Sequence, residues 1–432
     1  MTAVHESEAL EAAPTPLGKN RSFILLWTGA GISILGSRIS AIAYGLVVLW
    51  ATKSPTLTSL VTFAALLPFL VVQLPAGALV DRWNRRTVMI VCDLGRVVAI
   101  GILAVTIALG HVWIPMLMVV AFLEGSMTVA YTIAERAAVF TVVHEDQIGA
   151  AIGANEARGQ AAGLIGQPIG TFLFAVTRSL PFGATAVAHL ISLGTLLMIK
   201  KDLQGARDDE NRPNILADVA EGFRFVRGQK YLRRALGLIA ASNILFQILG
   251  IGLLVIVERN GGSPSTIGYI LVASGVGGML GALTSNFYMR LIGIRWIFMG
   301  VNAAWTVLMS AMAITQHPVA LGIIFCLLLY GAGVANVAGI VYTMKIAPED
   351  MQGRVGSIAT LLASGANALG ALAAGALLAA VSITTSMILV GAAMFVIAVL
   401  TVLAFGGRQA AADERALQKD SEPEVSGVSS TT

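Results

Sequence analysis

The sequence predicts an all-α integral membrane protein with twelve transmembrane helices, arranged as two six-helix halves in a parallel repeat. Of the 432 residues, 56% are apolar and only 12% are charged, roughly half the charged share of a typical soluble domain. Twelve apolar stretches are long enough to cross a hydrocarbon core of about 30 Å. Short sequence matches recur between the two parts of the chain. These three observations predict the fold class and argue against a soluble enzyme.

The twelve stretches are continuous apolar runs, which favours helices over the alternating strands of a membrane barrel. The predicted spans cover residues 23–49, 57–80, 87–109, 112–133, 148–176, 182–199, 235–257, 266–289, 296–315, 319–344, 355–380 and 383–405. Residues 22–199 then form an N-terminal half and residues 235–406 a C-terminal half. We expect disordered cytoplasmic tails at residues 1–21 and 407–432.

The break at residues 200–234 is the longest and most charged, so it marks the division between the halves. Within it, Ile215, Val219, Phe223 and Val226 share one helical face. This pattern predicts a cytoplasmic linker with an amphipathic helix on the inner membrane surface.

Basic residues predict the orientation of the spans. If the amino end is cytoplasmic, 22 of the 28 lysines and arginines lie in cytoplasmic segments, three lie outside and three lie within spans. This asymmetry follows the positive-inside rule and places both termini in the cytoplasm. The net charge of +4 therefore reflects topology, and no nucleic-acid partner is expected. We expect a monomer in a cell membrane, either a plasma membrane or a bacterial inner membrane.

Internal matches support the two halves. Glu145-Asp146 after the fourth span matches Glu349-Asp350 after the tenth at an offset of 204 residues. Ser54 before the second span matches Ser263 before the eighth at an offset of 209 residues. Because the matches fall at equivalent places in the same orientation, they indicate a parallel duplication.

The break between the second and third spans contains Gly77, Asp81, Arg82, Arg85 and Arg86 in the run Gly-Ala-Leu-Val-Asp-Arg-Trp-Asn-Arg-Arg. A basic turn anchors helix ends at the anionic inner leaflet. Its acid can also accept hydrogen bonds from basic side chains or a helix N-terminus, forming a latch that breaks and reforms. The run resembles the Gly-x-Leu-x-Asp-Arg-x-x-Arg-Arg loop motif of the major facilitator superfamily.

The resemblance covers about residues 20–406 and is greatest to the branch of enterobactin exporters and macrolide efflux pumps. The branch assignment rests on this loop, on Asp93 with Arg96, and on the amphipathic linker. It implies alternating access by two rocking halves and export of a drug, antibiotic or siderophore-like molecule by proton antiport. A proton-coupled importer or a lipid transporter of the same fold remains an alternative. An intramembrane enzyme is disfavoured.

The fifth span carries four glycines on one helical face, from Gly159 to Gly170, together with Pro168. Small residues on one face allow close helix packing. The pattern resembles a glycine and proline motif of the family's antiporters, although Gln167 stands where the family has glycine before proline. Packing alone is an equal alternative.

Ionisable residues inside spans are functional candidates because each costs about 2.5–3.5 kcal/mol to insert. For proton coupling, an acid must gain and lose its proton as access alternates. The candidate acids, in order of preference, are Glu124, Glu156 and Asp93, and the candidate counter-ions are Arg38, Arg96 and Arg158. Asp93 is explained more simply by a local ion pair with Arg96, one turn away. Arg158 points away from Glu156 on an ideal helix, so those two are not expected to pair.

Polar residues within spans are candidates for a substrate cavity or, alternatively, for interhelical hydrogen bonds. They are Gln160, Gln167, Asn243, Gln247, Asn336 and Asn367. The sequence has no glycine-rich phosphate loop and no His-Glu-x-x-His or Gly-x-Ser-x-Gly motif, and His189 is alone in its span. We therefore expect no enzyme activity, no cofactor and no metal site, with a small-molecule substrate, protons and the lipid bilayer as partners.

Overall fold

The structure is a computed structural model that describes residues 15–204, 215–346, 348 and 351–405. The predicted tails lie mostly outside these residues, as do residues 205–214 of the linker and Glu349-Asp350 of the internal match. The described part of the chain contains helices and connecting turns and no strand.

The first part of the chain forms eight helices: α1 (Arg21–Thr52), α2 (Pro55–Leu66), α3 (Pro68–Val71), α4 (Gln73–Arg82), α5 (Arg85–Ala108), α6 (Ile114–Val142), α7 (Ile148–Val176) and α8 (Leu180–Met198). The second forms seven: α9 (Ile215–Gly228), α10 (Lys230–Arg259), α11 (Pro264–Ile292), α12 (Ile294–Ala311), α13 (Pro318–Ile346), α14 (Gln352–Ala380) and α15 (Ile383–Phe405). Among the described residues, nine helices are long and apolar enough to cross a membrane, or ten if α2–α4, bent by 51°, count as one span. The more polar α7 and α12 stand at the predicted fifth and ninth spans.

Local sequence signals set where the helices begin and break. The side chains of Asn20, Ser54 and Asn84 each accept a hydrogen bond from a backbone N–H in the first turn of α1, α2 and α5, respectively. Such caps satisfy donors that have no partner within the helix. The predicted second span is interrupted before Pro68, and its bend of 51° lies at Val72, between α3 and α4. Pro68 and Pro75 each lack the N–H that would donate to the preceding turn.

The helix boundaries repeat through the chain. The first residues of α1, α2 and α5 lie 209 residues before those of α10, α11 and α12. The first residues of α6 and α7 lie 204 residues before those of α13 and α14. These are the offsets of the short sequence matches, so the two six-helix halves follow one plan.

The helix ends lie on two opposite sides of the molecule, a basic side and a far side. The basic side carries the start of α1 at Arg21 and the α4–α5 turn with Arg85. The far side carries Lys53, after α1, and Glu258, near the end of α10. The two halves meet through α2 against α14 and α7 against α11.

The halves are joined on the far side and separate on the basic side. Leu46 and Leu49 of α1 share one buried apolar cluster with Leu254 of α10, and Lys53 Nζ lies 2.5 Å from Glu258 Oε1. The buried clusters of the basic side each belong to a single half. The protein is therefore closed on its far side.

Helix α9, in the segment between the two halves, packs against the C-terminal half on the basic side. Glu221 Oε2 lies 3.0 Å from Arg354 Nη1 of α14, and Val226 packs with Val355 in a small buried cluster. The side chains of residues 215–219, which include part of the predicted apolar face, lie outside the described set.

Candidate functional site

Glu124 is buried between α6 and α1, with 4% of its surface exposed. Its Oε1 accepts a hydrogen bond from the Ser40 hydroxyl at 2.5 Å, and its Oε2 accepts one from the Tyr44 hydroxyl at 2.6 Å. Among the described residues, no basic side chain lies within ion-pair distance of this carboxyl group. The preferred proton candidate is therefore held only by hydroxyl groups.

Asp93 lies in a charged cluster between α5, α8 and α1. Its Oδ1 is 2.6 Å from Arg96 Nη2, and its Oδ2 accepts a hydrogen bond from the Ser192 hydroxyl at 2.7 Å. His189 Nδ1 lies 3.6 Å from the carboxylate and 3.2 Å from the Ser33 hydroxyl. The local ion pair expected from the sequence is present, and α8 adds partners that the sequence did not indicate.

Arg96 connects this cluster to the helix that carries Glu124. Its Nη1 donates to the Thr128 hydroxyl at 3.4 Å, and that hydroxyl donates to the Glu124 carbonyl oxygen at 2.8 Å. The guanidinium carbon also lies 4.7 Å from the centre of the Tyr131 ring. A continuous set of polar contacts thus runs through the interior of the N-terminal half.

A second buried ion pair, which was not predicted from the sequence, joins α6 and α7. Glu135, with a side chain 4% exposed, lies 3.2 Å from Arg158 Nη2. The Arg158 Nη1 donates to the Trp27 carbonyl at 3.0 Å. The predicted fourth span ended at residue 133, whereas α6 continues to Val142. Glu124, Thr128, Tyr131 and Glu135 are spaced four, three and four apart, so extending this face would have found the acid.

The other predicted charges lie at the surface of the helices. Glu156 Oε1 lies 3.8 Å from Arg136 Nη2, and both side chains are about two-thirds exposed, at 65% and 69%. Arg158 is turned away from Glu156, as expected, and its acidic partner is Glu135. Arg38 is exposed and forms no ion pair with a described residue.

Two arginines of the loop motif donate hydrogen bonds to backbone carbonyls of neighbouring helices. Arg86 Nη2 donates to the carbonyl oxygens of Leu196 and Leu197 near the end of α8, at 3.2 Å each, and Arg85 Nη1 donates to the Ala137 carbonyl of α6 at 3.1 Å. Cations near C-terminal carbonyls are favourable. Arg82 lies at the end of α4, which also contains Gly77. Asp81 is exposed and has no hydrogen-bond or ion-pair partner among the described residues.

The C-terminal half contains a cavity of about 680 Å³. It is lined by α10, α12, α13, α14 and α15, and it extends from the basic side toward Phe246 and Trp305 in the middle of the half. Two of the predicted cavity residues, Asn243 and Asn336, line it together with Asn302. Its volume is in the range typical of small-molecule sites.

Four predicted cavity residues lie elsewhere. Gln160 is exposed on α7, and Gln167 and Asn367 are partly exposed on α7 and α14. Gln247 lies against Gly370 of α14, although its neighbour on the same face, Asn243, lines the cavity. None of these four side chains lines the C-terminal cavity.

The glycine face of α7 divides into two parts. A side chain at Gly166 or Gly170 would collide with α1, whereas Gly159 and Gly163 have open space. The packing alternative therefore accounts for the far-side glycines.

Within the described ranges, no group of three or more potential metal ligands is found.

Comparisons with known proteins agree with this architecture. The family described as transmembrane secretion effectors matches residues 12–431. The chain is 28% identical over 407 residues to the multidrug efflux pump Tap of Mycolicibacterium fortuitum, covering 89% of this chain and 96% of that protein. It is 25% identical over 363 residues to macrolide efflux protein A of Streptococcus pyogenes, covering 81% and 87%.

The fold also resembles a solved transporter. A crystallised mutant of the nucleoside transporter NupG superposes with a TM-score of 0.72 at 12% identity, covering 88% of this chain and 99% of that chain. The bundle of apolar helices, the repeated halves and the family match lead to one conclusion: this chain is a multi-pass membrane transporter of the major facilitator superfamily, in its transmembrane secretion effector family.

Proposed function

We propose that this transporter exports small organic molecules across the cell membrane in exchange for protons, by alternating access of its two halves. The names of its relatives, a multidrug efflux pump and a macrolide efflux protein, support export of drug-like cargo. The basic residues support an orientation with the basic side in the cytoplasm. In that orientation the closed far side faces outward, and cargo reaches the protein from the cytoplasm.

The observation that carries the proton step is the environment of Glu124. Its carboxyl group is buried and contacts the hydroxyls of Ser40 and Tyr44 instead of a cation. An unpaired carboxylate in an apolar interior is costly, and protonation removes that cost. Exposing the site to water on one side and then the other would therefore link its proton to the direction of opening.

Asp93 has a different role in this proposal. Because it already pairs with Arg96, it holds α5 against α1 and α8 while Glu124 carries the proton. The contacts through Thr128 give the two sites a physical connection.

The alternating step requires both sides to change. The far-side contact between Lys53 and Glu258 has to open, and the basic side has to close around the loop containing Asp81. In an electrogenic exchange, each charge crossing a potential of 100 mV contributes about 2.3 kcal/mol to accumulation.

The proposal is tested in energised inside-out membrane vesicles that contain the full chain. Acridine orange follows the lumenal pH, and compounds of a broad drug panel that includes neutral aromatic molecules such as chloramphenicol are added one at a time. We expect each transported compound to raise the lumenal pH as protons leave, and Glu124→Gln to abolish this response. Glu145→Gln, at an exposed acid in the turn after α6, is the matched control and should respond like the unmodified protein.

Three results would contradict the proposal. A normal response from Glu124→Gln would remove that residue from proton coupling. Unchanged susceptibility of a deletion strain to a broad compound panel, or compound movement out of the vesicles, would favour an importer or lipid transporter over an exporter.

A further inference from the structure

The charged cluster of the N-terminal half has a counterpart in the C-terminal half. Ser242 and Asn302 lie 209 residues after Ser33 and Asp93, and Trp305 lies 209 residues after Arg96. The same offset separates the starts of α1 and α10, and of α5 and α12. These residues therefore occupy the same places in the repeated fold. In the second half an amide replaces the carboxylate, and an indole replaces the guanidinium.

The helix that faces this position also differs between the two halves. Ala332 and Ala335 of α13 lie 204 residues after Thr128 and Tyr131, the two α6 residues that contact Arg96. Both alanines line the cavity of about 680 Å³. The small side chains leave space where the N-terminal half is filled.

Asn302, in the cavity wall, has a buried amide oxygen, Oδ1, without a hydrogen-bond partner among the described residues. The residue is 8% exposed, and its Nδ2 donates to the Phe298 carbonyl oxygen at 2.7 Å. Because a buried polar atom without a partner is unfavourable, a rotation of the Asn302 amide that lets its Oδ1 accept a hydrogen bond from a bound N–H or O–H group would be stabilising.

Aromatic rings flank both ends of the cavity. Phe246 and Trp305 meet edge to face in its deepest part, with ring centres 4.8 Å apart. Phe298 and Phe405 line the part closer to the basic side. Among the described residues that line the cavity, none has an ionisable side chain. The lining therefore suits an aromatic molecule without charge.

We infer that the C-terminal half binds the cargo within its own helices, as an uncharged aromatic molecule that donates a hydrogen bond to Asn302. The identification of this ligand as cargo rests on the proposed export function. The two halves then divide the work: the first holds the ionisable groups, and the second, at the equivalent place, holds the substrate.

Direct binding tests this inference without transport. The full chain in lipid nanodiscs is titrated with N-phenyl-1-naphthylamine, a neutral aromatic probe with one N–H group. The same ring system with a sulfonate, 8-anilinonaphthalene-1-sulfonate, is the charged counterpart. Energy transfer from tryptophan reports probe close to the protein: its saturable part measures bound probe, and its linear part measures probe dissolved in the surrounding lipid. Empty nanodiscs give the background. We expect saturable binding of the neutral probe and at least about tenfold weaker binding of the anion.

Three variants locate the probe. Ala335→Tyr introduces the N-terminal half's residue into the cavity and should abolish saturable binding, whereas Ala304→Tyr, on the exposed face of α12, should not. Asn302→Leu keeps a similar volume and should weaken binding roughly three- to tenfold, as expected for loss of one neutral hydrogen bond. Each variant is compared at equal helix content and as a single species in gel filtration.

Equal affinity for both probes, or unchanged binding by both Ala335→Tyr and Asn302→Leu, would overturn the assignment. If Ala335→Tyr does not fold, Asn302→Leu alone decides it. Failure of the proton proposal is distinguishable: the probe would bind as expected while Glu124→Gln left the vesicle response unchanged.

Discussion

The buried ion pair between Glu135 and Arg158 predicts a large stability effect. The two side chains are only 4% and 7% exposed. Glu135→Gln would leave the guanidinium buried without its carboxylate, a change that costs about 3–5 kcal/mol in buried pairs. The guanidinium keeps the Trp27 carbonyl at 3.0 Å and the Trp27 ring, whose centre is 5.9 Å away. Since these contacts offset about 1 kcal/mol of that cost, we expect the free energy of unfolding to fall by about 2–4 kcal/mol.

The loss is measured by equilibrium unfolding with sodium dodecyl sulfate in mixed micelles, followed by far-ultraviolet circular dichroism. Glu156→Gln is the matched control, because its partner Arg136 lies 3.8 Å away and both side chains are mostly exposed. An exposed pair of this kind contributes about 0–1 kcal/mol. The two variants remove the same charge from neighbouring helices in different surroundings.

A double variant provides the decisive comparison. Glu135→Gln combined with Arg158→Gln removes both charges, so it should recover much of the stability lost by the single change. The reasoning is refuted if Glu135→Gln costs no more than Glu156→Gln. It is also refuted if the double variant is as unstable as the two single losses added together.

Closure of the far side is tested by two further substitutions. It is measured as the distance between spin labels on cysteines introduced into the α5–α6 and α12–α13 loops, after both native cysteines are replaced by alanine. A side chain at Gly375 would place its Cβ 2.7 Å from Ser59 Cβ. Gly375→Ala should therefore disfavour the closed state by about 1–3 kcal/mol and lengthen the distance between the spin labels. An unchanged distance would contradict this prediction, as would equal lengthening by Gly183→Ala, where a Cβ has open space. Lys53→Glu should lengthen the same distance, because it places a second carboxylate opposite Glu258. Since Lys53 is 62% exposed, this lengthening should decrease at high salt. Lengthening that does not depend on salt would count against the ion pair as its cause.

The length of the apolar runs and the internal sequence matches predicted most of the fold. The predicted fifth span coincides with α7, and the offsets of 204 and 209 residues recur in the helix starts. The end of α6 was misplaced because hydropathy treats Glu135 as a loop residue. Its partner, Arg158, is 23 residues away on the next helix, so no local pattern reveals that the charge is compensated.

The candidate site was predictable only where its partners are close in sequence. Asp93 and Arg96 are three residues apart on one helix, and their pairing follows from helical geometry. Ser192 and His189 join them from α8, almost a hundred residues later. Likewise, Asn243 and Gln247 share a helix face, yet only Asn243 lines the cavity, because Gln247 meets the close approach of α14 at Gly370.

The sequence by itself determined the class of this protein: apolar runs of membrane-spanning length, basic residues at one set of helix ends, and a duplicated six-helix plan. Those properties follow from the solvation of single segments, which each segment carries in its own composition. The tertiary structure decided which charged side chains are paired and which side is closed. It also decided that the C-terminal half has a cavity where the N-terminal half has a cluster of charged side chains. Those properties depend on which helices pack together and how closely, and packing is shared between segments far apart in the chain.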